Sequence, residues 1–211
     1  MNYQKVLDDT IKNIQSENRI PKLLIHSCCA PCSSYCLEYL SKYFLIMVLY
    51  YNPNIFPKEE YEYRVNEQRR FIEEFPAKNR ITFMEAPYSP EDFYKIASGL
   101  EKEPEGGKRC TECYRLRLEY TAKVAKELEM DYFTTTLSIS PLKDANRLNS
   151  IGLELEEIYK VPYLVSDFKK RDGYKRSVEL SHEYKMYRQD FCGCVFSMEE
   201  RKAHQKVLAN S

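Results

Sequence analysis

Leu23-Leu24-Ile25-His26-Ser27-Cys28-Cys29-Ala30-Pro31-Cys32 is the stretch on which the fold turns. Leu23 to His26 is a short apolar run, the pattern of a strand buried on both faces, and Ser27 to Cys32 is its exit loop. A helix is expected next, capped by Ser33 or Ser34, with Tyr35, Leu37, Tyr39 and Leu40 on its apolar side. Strand, loop and helix in that order open a parallel sheet.

Outward from this unit the alternation repeats. Val6 to Ile14 upstream is weakly periodic and predicts a helix. Downstream, Phe44 to Tyr50 is the clearest buried strand, closed by Asn52-Pro53-Asn54 and Pro57, and Lys58 to Phe75 is a charged amphipathic helix. Ile81 to Met84 is a third strand, and Pro90 starts a helix to Ala97. Gly99 to Arg109 holds three of the six glycines and suits a mobile loop. Thr111 is the expected cap of the next helix, whose face is Tyr114, Leu118, Thr121, Ala125 and Leu128. Tyr132 to Leu137 is β-branched and aromatic, hence a fourth strand. A helix through Leu155, a strand over Val161 to Phe168 and a helix over Val178 to Tyr187 follow. This order predicts one α/β domain, a parallel sheet covered by helices on both faces, with its sites at the carboxyl ends of the strands.

The composition excludes several classes. At 211 residues the chain fits a single domain. The apolar run Phe44 to Tyr51 is eight residues, far short of the roughly 20 that cross a bilayer. Met1 to Asn18 is polar and mixed in charge, without the pattern of a secretory signal, so a cytoplasmic location and no membrane partner are expected. Lysine plus arginine equals aspartate plus glutamate at 32 each, so a basic patch must be local. One such patch runs from Lys169 to Arg188, with seven Lys/Arg against three acidic residues, interleaved with Tyr174, Tyr184 and Tyr187. It suits an RNA backbone with stacked bases, and equally a solvated helix face. His26 is expected in the core, and His182 and His204 on the surface.

Eight cysteines stand at 28, 29, 32, 36, 110, 113, 192 and 194. In a reducing compartment such clustering points to metal ligands or redox groups. Cys110-Thr-Glu-Cys113 opens a helix, where free amides and the positive dipole end favour thiolate. Cys28 and Cys29 can face one ligand if Ala30-Pro31 makes a turn. Two cysteines from each loop make four thiolates, which suit Zn²⁺ and a 4Fe-4S cluster equally. Cys192-Gly-Cys194 differs in kind: Gly193 lets the chain turn tightly enough for a strained and labile disulfide, with two further metal ligands as the alternative. Cys36 is expected to be a buried structural thiol, with Cys32 near enough to ligate a metal.

His26-Ser-Cys28-Cys29-Ala-Pro-Cys32-Ser, Arg109-Cys110-x-x-Cys113-Tyr114-x-x-Arg117-Leu118, Thr135-Thr-Leu-Ser138-x-Ser140-Pro141 and the block from Gly173 through Gln189-Asp190-x-Cys192-Gly193-Cys194 resemble the QueH family, the cobalamin-independent epoxyqueuosine reductases. The similarity runs from about Pro21 to Ser197, leaving 1–20 as a helical extension and 198–211 as a tail of the single domain 1–211. The resemblance implies a Rossmann-like fold of the adenine-nucleotide α-hydrolase type. It implies reduction of the epoxide of epoxyqueuosine at the wobble position of tRNA, the last step to queuosine. It also implies a 4Fe-4S cluster on Cys28, Cys29, Cys110 and Cys113, an adjacent mononuclear iron, a redox-active pair at Cys192 and Cys194, and an electron donor that the sequence does not identify. Some members lack cysteine at the position of Cys32, which leaves that residue a candidate for the second iron. Asp144, Asp190 and Tyr114 are proton-donor candidates by position. The rivals are a PP-loop-like tRNA-modifying enzyme, whose Ser-Gly-Gly-x-Asp-Ser loop is replaced here by Ser-Cys-Cys-Ala-Pro-Cys, and a zinc-stabilised RNA-binding module.

Overall fold

Leu23, Leu24 and Ile25 have no exposed surface, because the strand that carries them, β1 (Lys22–His26), lies inside the sheet with helices on both sides. The computed structural model describes residues 2–209, and side chains as far as Lys206. β2 (Leu45–Tyr50) and β4 (Tyr132–Thr135) flank β1, and β3 (Ile81–Glu85) lies beyond β2, giving the order β3-β2-β1-β4 with every pairing parallel. Ile25 pairs with Val48 on one side and Thr134 on the other.

Side chains alternate across β1 and divide the core into two layers. Leu23 and Ile25 pack with Leu7 and Ile11 of α1 (Tyr3–Ser16), Leu37 and Leu40 of α2 (Ala30–Leu40) and Phe71 of α3 (Lys58–Glu74). Leu24 faces the other way, onto Leu118 and Ala122 of α5 (Lys108–Glu127) and Leu148 and Ile151 of α6 (Ala145–Tyr159). The remaining helices are α4 (Pro90–Ala97), α7 (Gly173–Glu183) and α8 (Val195–Ala209). The expected α/β class, with helices on both faces of a parallel sheet, is the observed one. Among the described residues no helix is long and apolar enough to cross a membrane.

Several boundaries differ from the sequence expectation, each for a local reason. α2 begins at Ala30, inside the cysteine motif, with Cys29 as N-cap and Pro31 in the first turn, where its missing amide costs nothing. Ser33 and Ser34 are therefore not caps; their hydroxyls bond back to the carbonyls of Ala30 and Pro31. α5 likewise begins at Lys108 behind Gly107, and Thr111 sits inside it. The expected strand over Val161 to Phe168 is not a strand. Pro162 has no amide to give, and after a single bridge from Tyr163 to Phe133 the backbone is taken over by side chains, Ser166 pairing with Asn149 and Phe168 with Ser138. β4 ends early because the Thr135 hydroxyl accepts from the Leu137 amide and starts a 3-10 turn over Thr136–Ile139. α7 starts five residues before the expected Val178. Most of the expected C-terminal tail is α8, and residues 210 and 211, like Met1, lie outside the described residues.

Two glycines mark tight contacts. A Cβ on Gly152 would lie 2.3 Å from the Tyr163 ring, and one on Gly173 would lie 2.0 Å from the Phe168 carbonyl oxygen. Because a backbone oxygen cannot swing aside, Gly173→Ala is expected to cost about 1–3 kcal/mol, the range for overpacking. Chemical denaturation measures it, and an unchanged midpoint would show the junction before α7 to be loose.

Strand order runs outward in opposite directions from β1, which puts the crevice of the sheet at its carboxyl end, between β1 and β4. Cys28 and Cys29 lie there.

Candidate metal centre and active site

Helix N-termini decide where the sulfurs lie. Cys29 is the N-cap of α2 and Cys32 its third residue, so both stand in the first turn of the helix. Cys110 is the third residue of α5, and its Sγ accepts from the Gly106 amide at 3.2 Å. Cys194 directly precedes α8, and its Sγ accepts from the Ser197 amide at 3.4 Å. Each of these helix starts leaves backbone amides free to face a sulfur.

The Sγ atoms of Cys28, Cys29 and Cys32 all lie within 4.8 Å of one another, with Cys28 and Cys29 3.7 Å apart. Tetrahedral thiolates on a single zinc-sized ion stand about 3.8 Å apart, so this trio matches a metal's coordination sphere. Cys110 and Cys113 lie outside that group. With Cys192 and Cys194 they line a second, small cavity beside Tyr114 and Arg117. Cys192 also borders a larger cavity of about 200 Å³ that contains Cys28 and Cys32, so the two thiol groups adjoin. The four ligands expected from the sequence are thus drawn from both groups. Cys36 is fully buried and bonds to the Cys32 carbonyl, away from either cavity, as a structural thiol should. All eight cysteines are free thiols, Cys192 and Cys194 included.

Buried cations surround these sulfurs. Arg117 is 1% exposed; its Nε donates to the Cys113 carbonyl and its Nη2 has no partner. The Lys143 ammonium lies 3.3 Å from Cys192 Sγ. Among the described residues neither has a carboxylate partner. Burial alone would discharge Lys143, but Cys192 and Tyr114 hold its pKa above the ordinary value. Arg64, also 1% exposed, pairs with Glu60 and donates to the Cys192 carbonyl. Burial pushes Cys113 up to about 11 and Cys194 up to about 12, so a bound cation is what would ionise them. Orphaned positive charge around buried thiols fits an anionic thiolate-metal group.

His26 is the core residue expected. Burial, and then the field of Arg117, lowers its pKa to about 4; neutral, it donates from Nε2 to the Tyr51 carbonyl and accepts at Nδ1 from the Thr135 hydroxyl. Of the three proton-donor candidates, Asp144 caps α6 and Asp190 pairs with Arg201, while Tyr114 stays in the thiol cavity with burial raising its pKa to about 12. Three of the seven cations in the basic stretch are spent on internal pairs: Lys169 on Asp167, Arg171 on Asp8, and Arg176 on Glu38, Glu179 and Glu183.

The sequence profile of the epoxyqueuosine reductase QueH family matches residues 23–200, most of the chain and every one of these sulfurs. The chain belongs to the QueH family. It is 46% identical over 201 residues to the epoxyqueuosine reductase QueH of Staphylococcus epidermidis, covering 93% of this chain and 84% of that one. It is 36% identical over 192 residues to that of Thermotoga maritima, covering 88% and 95%. A solved NMN synthetase from Francisella tularensis superposes with a TM-score of 0.41 at 12% identity, over 89% of this chain and 96% of that one. In this QueH chain, Lys143 went unread in the sequence, and Arg117 and Gln189 stood in quoted motifs without a role; Gln189 Nε2 lies 2.8 Å from Cys29 Sγ. Arg117 carried a signal, four residues after Cys113 and seven after Cys110 on one helical face; Lys143 carried none, because only the 3-10 turn and the following loop bring it inward.

Proposed function

We propose that the protein is an iron-sulfur epoxyqueuosine reductase, which reduces the epoxide of epoxyqueuosine in tRNA to the cyclopentene of queuosine. The observation that carries this reading is the pair of adjoining thiol groups at the carboxyl end of β1, faced by the cations Arg117 and Lys143, which have no carboxylate partner among the described residues. Cys28, Cys29, Cys110 and Cys113 would hold a 4Fe-4S cluster, with Cys32 as the further thiol for an adjacent iron. When bound, these centres supply single electrons and a Lewis acid for the departing oxygen.

The chain's own residues account for the rest. Converting an epoxide to an alkene takes two electrons and two protons and releases the oxygen as water. Cys192 and Cys194 carry that number, since a dithiol closing to a disulfide gives up two electrons and two protons. Gly193 permits the arrangement: its φ is +114°, and a Cβ there would lie 3.0 Å from Arg64 Nη1. Lys143 holds the Cys192 sulfur from one side and the Arg64 guanidinium holds its carbonyl from the other. An external electron donor then restores the dithiol.

In cells lacking their own epoxide reductase, this protein is expected to convert tRNA nucleoside from the epoxide to the cyclopentene form; unchanged epoxide contradicts the reading. Purified anaerobically, the protein should be brown with stoichiometric sulfide, where a zinc-stabilised RNA-binding module would be colourless. For RNA contact, Lys175 is exposed and Arg171 is 58% exposed. Neutralising both is expected to lower the salt slope of tRNA binding by about two charges, and an unchanged slope would return the stretch to a solvated face.

A further inference from the structure

Leu142 and Tyr174 stand at the mouth of the cavity that contains Cys28, Cys32 and Cys192, and neither completes a core. Leu142 is 75% exposed and Tyr174 41% exposed, yet both line that cavity of about 200 Å³. Their backbones are held. Lys169 pins the loop carrying Leu142 by donating to the carbonyls of Ser138 at 3.0 Å and Lys143 at 3.3 Å. Tyr174 follows Gly173, which is wedged against Phe168 and Tyr35. Beside this apolar rim the lining is polar and carries both signs of charge, with Lys143, Arg188, Glu105 and Asp190, and with Gln189, whose buried Oε1 has no hydrogen-bond partner among the described residues. The arrangement is an apolar platform at the mouth of a cavity that holds an unpaired acceptor, two cations with two carboxylates, and the thiols of Cys28, Cys32 and Cys192.

We propose that Tyr174 and Leu142 form the docking rim for the substrate base, an unstacked purine-type base of single-stranded RNA whose ring lies on Tyr174 while its epoxide arm reaches down to the thiols. This rests on the reaction proposed above. A cavity of this size admits one ring system and no duplex, and a single-stranded loop can splay such a base outward. Aromatic platforms bind bases through the ring face, so the hydroxyl of Tyr174 is dispensable.

The test uses the full-length, metal-reconstituted protein and an anticodon stem-loop RNA carrying the epoxide base. Tyr174→Ala is expected to weaken RNA binding, read by fluorescence anisotropy, by at least about fivefold and to raise KM by the same factor. kcat, iron content and thermal midpoint should stay at wild-type values, and the salt slope of binding should not move, because stacking displaces no counterions. Tyr174→Phe should restore affinity, and Leu142→Ala should give a smaller loss. Tyr174→Ala protein that binds and turns over as wild type overturns the proposal, as does Tyr174→Phe protein as weak as Tyr174→Ala. Wild-type protein that leaves the epoxide intact is a different failure, which overturns the underlying reaction instead.

Discussion

Protein carrying Cys29→Ala is expected to lose much of its iron and sulfide, with turnover down by at least about 100-fold, the upper range that even outer-shell partners of a metal reach. Cys29 caps α2, stands 3.7 Å from Cys28 and takes the Gln189 side chain at 2.8 Å. Burial alone would raise its pKa, but hydrogen bonds with Cys28 and Cys32 and the field of Arg64 hold it well below the usual thiol range. Of the trio it is the sulfur most disposed to ionise, and alanine there removes the group that sits at the α2 N-terminus in the field of Arg64. Cys28→Ala, Cys110→Ala and Cys113→Ala should lose iron in the same way, and each should also loosen the fold, since a metal group on the proposed ligands would tie the β1 exit to α5. Cys36→Ala is the control, with its sulfur away from both cavities, and should keep its iron. Full iron retention in anaerobically prepared Cys110→Ala protein would remove that residue from the ligand set.

Cys192→Ser and Cys194→Ser should behave differently. Each is expected to purify brown with normal iron, yet to turn over about 100-fold more slowly with a dithiol reductant, because a lone thiol cannot form the intramolecular disulfide that stores two electrons. The structure makes this the more demanding of the two predictions, since Cys192 and Cys194 line the same small cavity as Cys110 and Cys113. A variant that purifies with a quarter or more of its iron missing would make these cysteines ligands and redraw the four-thiolate assignment. Single turnover from a prereduced protein should retain partial activity.

The sheet was legible because buried parallel strands are written as unbroken apolar runs, as in β1 and β2, and because β4 is β-branched and aromatic. The run from Val161 was misleading for the same reason: it is just as apolar, but Pro162 and the side chains of Asn149 and Ser138 take its backbone out of the ladder. Sulfur positions were legible as far as helix starts could be placed. Placing the cap of α2 four or five residues late hid the fact that Cys29 and Cys32 sit at its N-terminus, whereas Cys110 was already read at the start of its helix. Lys143 was not legible, because a lysine in a polar loop reads as exposed until the loop is seen to fold back onto Cys192.

One measurement bears on the central claim most directly: mass analysis of the modified nucleoside after anaerobic incubation of the reconstituted protein with epoxide-bearing RNA and a reductant. The account predicts a product lighter by one oxygen atom, formed with the wild-type protein and not with Cys29→Ala. An unchanged nucleoside mass, from protein shown to hold its iron and to bind the RNA, would contradict it.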